Sequence, residues 1–336
     1  MAPSPKHLRL PMPVRPWLGA VLISFSGVWV RLADVEAARS AFWRGAYALP
    51  VLALLVALRA GAARAATVPG GGVPPRRWIR PLAIVAGMIL GLDLVAWHAS
   101  IAIVGAGLGT VLPNLQVVVV GLLGVLLFRE RPPVLFWLSL PVVLAGIWLL
   151  AAVGRPVVTD GSVALGVLLG VVAGVTYGIS LVVLRLARGT GPVTSAVEIL
   201  WSLTLGIVVV TGAAAAWEGV LGPAGWPASG WLLLLALGSQ VVGWLLLTSS
   251  IHHLPAAATS VALLLQPVLA LVWGALLLSE PIGLPQVLGA AVVLLGVALA
   301  HRSLREVQAT ASVPSARSGP LGASPDGHAD SSEARR

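Results

Sequence analysis

The sequence predicts an all-α integral membrane protein whose ten transmembrane helices form two inverted five-helix repeats. Three observations predict it. Of the 336 residues 58% are hydrophobic and only 10% charged, and the mean hydropathy is +0.97, too apolar for a water-soluble shell. Charges, prolines and glycines cut the apolar runs into ten stretches of roughly bilayer-crossing length. Two distant parts of the chain also resemble each other.

The ten stretches fall near 17–33, 41–58, 81–101, 106–128, 133–152, 163–186, 194–216, 229–250, 256–278 and 283–300. Basic residues orient them. With the N-terminus inside, only Arg31, Arg39, Arg44 and Arg155 of the 21 Lys and Arg lie outside, so both termini are expected in the cytoplasm. The same rule accounts for the net charge of +9, which points to no nucleic acid because neither a basic face nor a binding motif accompanies it. Lys6 is the one lysine, and with the wealth of Ala, Gly, Val and Pro this suggests a GC-rich bacterial genome and hence a bacterial cytoplasmic membrane. "MAPSPKHLRLPMPVRP" has the charge of a signal-peptide start. Cleavage after it would break both the charge asymmetry and the repeat, so the first helix is expected to stay.

At an offset of 150, residues 109–150 and 259–300 agree at 14 of 42 positions, more than composition supplies. Gln116 falls on Gln266, Gly124 on Gly274, Glu130 on Glu280 and Gly146 on Gly296. Upstream the offset becomes 147, and Asp93 and Trp97 fall on Gln240 and Trp244. An odd number of helices per copy makes the copies enter the membrane from opposite sides. The expected organisation is a cytoplasmic tail (1–16), a first repeat (17–152), a linker (153–162), a second repeat (163–301) and a disordered cytoplasmic tail (302–336) rich in Ser, Ala, Pro and Gly.

"GLDLVAWHAS", Gly91 to Ser100, puts an aspartate and a histidine in the middle of an apolar span. A carboxylate at that depth costs roughly 2.5–3.5 kcal/mol on insertion scales unless it pairs, protonates or faces water. At 100° per residue Asp93, Trp97 and Ser100 share a face, and His98 lies about 140° from Asp93. The first three are therefore expected to line a cavity, and His98 to pack against protein. Asp93 could contact a cationic or amine-bearing solute, carry a proton that alternates with solute, or bond a neighbouring helix. Gln240 and Trp244 join the cavity as its repeat counterparts.

Arg44, about one turn inside the outer end of the second helix, either binds a carboxylate there or snorkels to headgroups. Glu198, near the matching position, reads as a helix-start acid. Asn114 and Gln116 flank Pro113, and Gln266 precedes Pro267; a proline frees a carbonyl one turn back, which membranes tolerate where it is buried or lines a cavity. Interhelical amide bonds are the alternative. Trp43, Trp97, Trp201 and Trp244 are expected to face the cavity, and Trp17, Trp78, Trp137, Trp226 and Trp231 to form interfacial belts. Gly166, Gly170, Gly174 and Gly178 make a smooth stripe that suits either packing within one chain or a homodimer. Glu130 and Glu280 read as loop junctions. The chain has no cysteine, and the adjacent His252 and His253 point apart, so no metal site or cofactor is expected.

"FWRGAYAL" (Phe42–Leu49), "LDLVAWHASI", "PNLQ", "LLFRER" (Leu126–Arg131), "SQVVGWLL" and "LLLSEP" (Leu276–Pro281) together resemble the EamA-type family of the drug/metabolite transporter superfamily, over about residues 17–301. The family's fourth-helix proline would fall on Val117, whereas here it is Pro113, about one turn away. The resemblance implies a secondary transporter, an exporter of small metabolites (amino acids or related compounds, or drugs), working by alternating access. The sequence has no GxxxxGK[ST] loop for a nucleotide, so the driving force is expected to be a gradient, with a proton as the candidate ion. A membrane-embedded enzyme acting on lipids or peptides is the alternative. It would need convergent acids, histidines or a nucleophile with its base at one depth, where Asp93 is the lone strong candidate.

Overall fold

The computed structural model describes residues 14–66, 79–129, 131–153, 162–188, 195–246, 256–280 and 282–311. Among the described residues all regular structure is helical. The reason is elementary: hydrocarbon offers no water to backbone amides, and a helix satisfies them within one segment. The order is α1 (Arg15–Ser24), α2 (Ser26–Ala33), α3 (Ala37–Ala66), α4 (Ile79–Val111), a 3-10 turn (Leu112–Leu115), α5 (Gln116–Phe128), α6 (Val134–Val153), α7 (Val163–Arg188) and α8 (Ala196–Trp217). Then come α9 (Ala228–Leu234), running into a π-helix (Leu235–Gly243), α10 (Ala256–Leu277) and α11 (Leu284–Ala311). Among the described residues five continuous helical stretches are long and apolar enough to cross a bilayer, and shorter apolar helices occupy 17–33, 134–149, 265–277 and 284–300. The protein is a multi-pass membrane protein.

The first expected span is broken at Phe25, whose ring stacks on Trp29 and on Trp273 of α10. The tail expected to be disordered from 302 is helical to Ala311, because Leu304, Arg305, Glu306 and Gln308 are good helix formers and carry α11 past its apolar end. The expected N-terminal tail up to residue 13, Trp78, Glu130, most of the linker (154–161), the His252–His253 pair and residues 312–336 lie outside the described residues.

Ile79–Phe128 is a 50-residue helical run, about 75 Å if straight. It is not straight. Gly105 has φ 90° and ψ 166°, backbone essentially reserved for glycine. There the chain doubles back: a Cβ on Gly109 would lie 3.2 Å from the Ile101 Cα. The third and fourth expected spans are thus the arms of one hairpin with a single-residue turn.

A helix that starts inside a protein leaves its first amides without partners. Here they find Glu280, 174 residues away: Ala106 N–H donates to Oε1 at 2.6 Å and Gly107 N–H to Oε2 at 3.2 Å. The carboxylate also complements the positive end of the helix dipole. Glu280, expected at a loop junction, does lie between α10 and α11, and there it is a buried helix cap. Glu280→Gln keeps one acceptor and removes the charge, so it is expected to cost about 1–2 kcal/mol. The readout is a lower melting temperature of the purified protein, and unchanged melting would show the cap to be dispensable.

The second half of the chain meets the first at backbone distance. At the crossing of α4 and α8, a Cβ on Gly87 would run into the Leu203 carbonyl oxygen, and one on Gly206 into that of Ile84. At the crossing of α6 and α11, a Cβ on Gly146 would lie 2.7 Å from Val293 N, and one on Gly296 2.9 Å from Val143 N. Adding 150 to 143 and 146 gives 293 and 296, so this contact maps onto itself. Arg129 after α5 (φ 53°) and Ser279 after α10 (φ 52°) are left-handed at the same offset.

The glycine stripe of α7 packs within the chain. Gly166 faces Val104, Gly170 faces Leu112, Gly174 faces Leu115 and Gly178 faces Val119. The stripe is filled by α4, the 3-10 turn and α5. Of the tryptophans expected in the belts, Trp17, Trp137 and Trp226 are exposed.

Candidate functional site

Midway along the first arm of the hairpin the helices part around a cavity of about 120 Å³, well beyond the ~10–15 Å³ that admits one water. Asp93 and Trp97 line it from α4, together with Leu90 and Leu94. Counting at 1.5 Å per residue, Asp93 sits about 21 Å from Ile79 and about 18 Å from Gly105, near the middle of the arm. Gln240 and Trp244 line the cavity from the second half, as do Gln266 and Pro267 of α10, which meet Gln116 and Pro113 from the first. Three pairs of residues that the sequence offsets of 147 and 150 match therefore converge on one space.

Arg44 is 4% exposed and also lines the cavity. Its Nε donates to Gln240 Oε1 at 3.0 Å, and Nη2 reaches Ser239 Oγ at 3.5 Å. Gln240 is itself tied down, its Nε2 donating to Thr204 Oγ1 at 3.3 Å. The wide π turn carries both Ser239 and Gln240, and such turns recur at functional sites. The guanidinium lies 5.6 Å from the Trp97 ring centre, within cation–π range. An arginine held this way does not snorkel to headgroups.

Two buried charged atoms are left without hydrogen-bond partners, Arg44 Nη1 and Asp93 Oδ1. They do not pair with each other, since the ion pairs of the described residues are Arg39–Glu36 and Arg80–Glu198. Gln116 Oε1 is also unmatched.

The proline break has its own repair. Asn114 Nδ2 donates to the carbonyls of Thr110 at 3.0 Å and Val111 at 3.1 Å, so Asn114 lines the cavity while stabilising the 3-10 turn that Pro113 opens. Pro267, the other break, remains inside continuous α10.

Three residues expected at the cavity lie elsewhere. Ser100 donates to the Gly166 carbonyl at 2.7 Å and ties α4 to α7: it shares the angular face of Asp93 but lies about 10 Å further along the axis. Trp43 donates to the Gly222 carbonyl at 3.1 Å and packs on Phe42 and Tyr47. Trp201 packs against the core instead of lining the cavity. His98 turns to Ser40 of α3 through Nδ1, as its angle implied. Glu198 is a helix-start acid: its N–H bonds the Ser195 side chain at 3.3 Å, and its carboxylate lies 3.7 Å from Arg80. The sequence reading missed Thr110 and Tyr177, which also line the cavity. Tyr177 is one of two tyrosines in the chain, a signal masked by the glycine stripe beside it.

Residues 164–302 match the family model of the EamA-like transporter family. That stretch of the chain is similar to the family. The family itself falls within the drug/metabolite transporter superfamily. The matched region supplies Tyr177, Gln240, Trp244 and Gln266 to the cavity, while Arg44, Asp93 and Trp97 come from the half before it. No curated protein matches the chain. A solved structure, "Crystal structure of protein", superposes with a TM-score of 0.52 at 16% identity, covering 86% of this chain and 97% of that one. At that identity the likeness speaks for the fold, and it extends well outside residues 164–302.

Proposed function

We propose that the chain is a secondary active transporter, an exporter of small metabolites (amino acids or related compounds, or drugs) that works by alternating access between two five-helix halves of inverted topology. The observation that carries this reading is the convergence of Asp93 with Gln240, Trp97 with Trp244 and Gln116 with Gln266 on one cavity midway along the helices. A site built of equivalent residues from both halves is the place where rocking one half against the other exposes a solute first to one side and then to the other. The self-matching crossing of α6 and α11 supports the same symmetry. Asp93 is the group through which a proton would couple, exchanging with solute at one carboxylate. The membrane is the bacterial cytoplasmic membrane, with both termini inside.

The test is reconstitution. Purified protein in liposomes loaded with a bacterial small-molecule extract is expected to release one or a few solutes that protein-free liposomes retain, and overproducing cells to accumulate the same solutes outside. No release from the liposomes, together with turnover of lipid or peptide by the pure protein, would replace the transporter reading with an enzymatic one.

A further inference from the structure

We infer that the loop between α8 and α9, residues 218–227, is a latch that closes the outer side of the cavity, and that the two halves part there. This rests on the transport reading, with the orientation proposed above, and deepens it. The loop belongs to the second half, and three residues of α3 in the first half hold it. Arg39 Nε donates to the Val220 carbonyl at 3.0 Å, Trp43 Nε1 to the Gly222 carbonyl at 3.1 Å, and the Tyr47 hydroxyl to Ser229 Oγ at 3.5 Å. Positions 39, 43 and 47 follow one another along a single face of the helix. Ser229, at the start of α9, in turn donates to the Ala224 carbonyl, so the loop is tied by the carbonyls of Val220, Gly222 and Ala224.

How the loop is held decides what it can do. Within 216–227 only Val220 and Ala224 are sheltered, and Trp217 and Trp226 are 93% and 81% exposed. Nothing lies within 4 Å of a Cβ built on Gly219, Gly222 or Gly225. Packing therefore contributes little, and the polar bonds carry the attachment. A hydrogen bond beside water exchanges for one to water at small net cost, so these can open and reform. The α4–α8 and α6–α11 crossings are the opposite case: an added Cβ would strike backbone atoms there, and separating such surfaces forfeits their dispersion contacts. The joint between the halves thus has fixed pivots and one releasable edge. Arg44 connects that edge to the cavity. It lies between Trp43 and Tyr47 on α3, and its bonds to Gln240 and Ser239 join the same two segments as the latch, α3 and the run of α9 into the π-helix. Releasing the loop frees α9 to carry Gln240 and Trp244, which line the cavity, away from α3.

Because the chain has no cysteine, a single introduced thiol reports on the cavity. Leu94→Cys places it in the wall. A membrane-impermeant sulfonated methanethiosulfonate, added to intact cells or to inverted vesicles, reads its accessibility from each side. On that background Trp43→Phe and Tyr47→Phe keep an aromatic ring and delete one donor each. Each is expected to speed labelling from outside by about 2- to 10-fold, the population shift that one lost hydrogen bond permits, without speeding it from inside. Unchanged outside labelling, or an increase not confined to the outside, would overturn the inference. A reversible lock covers a variant that fails to fold. Trp43→Cys with Gly222→Cys, without the Leu94 reporter, is bridged by a short bifunctional methanethiosulfonate, which is expected to stop solute flux until a reductant cleaves it. If the bridged protein transports at full rate, the latch fails and the transporter stands. If the Phe variants open the cavity outward but no solute crosses liposomes, the latch stands and the transporter reading has failed.

Discussion

Asp93→Asn is expected to lower solute flux by about 10- to 100-fold while leaving the folded protein as stable as before or more stable. The two halves of that outcome have one cause. A carboxylate oxygen buried without a partner is held in the fold at a cost, and asparagine of nearly the same shape removes the charge. What is lost is a charge-assisted bond to the solute, about 1.5–3 kcal/mol, and each ~1.4 kcal/mol is a factor of ten. A structural aspartate would behave the other way, because breaking its bonds would lower stability and leave transport intact. The measurement is flux per folded protein in liposomes, with the melting temperature of the same preparation. Unchanged flux with a lower melting temperature would make Asp93 a packing residue.

Gly105→Ala is expected to destabilise the fold by about 3–6 kcal/mol. Backbone at φ 90° and ψ 166° carries a strain of about 1–3 kcal/mol for any other residue. The new Cβ would also sit 2.7–2.8 Å from the Glu280 carboxylate and displace it from the amides it caps, a further loss of about 1.5–3 kcal/mol. Gly219→Ala is the control: Gly219 also has a positive φ, 71°, but nothing lies within 4 Å of its missing Cβ. It should cost about 1–2 kcal/mol. Thermal unfolding in detergent distinguishes them, and equal melting of the two variants would mean that the hairpin does not depend on Gly105.

Much of this architecture is written in the chain at the level of polarity. Runs of apolar residues mark where helices lie, and a 100° step places Asp93 and Trp97 together and His98 apart. That angular reading carries no depth, which is why Ser100, on the same face, bonds α7 above the cavity instead of lining it. Arg44 could not be resolved from sequence, because snorkelling and burial need the same side chain; what decides is Gln240, 196 residues away. Tyr177 was hidden by the glycines beside it, and Glu280 by its position at a helix end, where acids are ordinary. The break at Phe25 and the π turn arise from contacts between helices, and no periodicity announces them.

The cap on the hairpin also bears on the order of synthesis. Ala106 and Gly107 leave the ribosome long before the carboxylate that completes them, with 174 residues between Ala106 and Glu280. Until that distant glutamate is made, the second arm of the hairpin stands in the membrane with its leading amides bare. The first half of the protein therefore lacks this cap until Glu280, in the loop before α11, has been made.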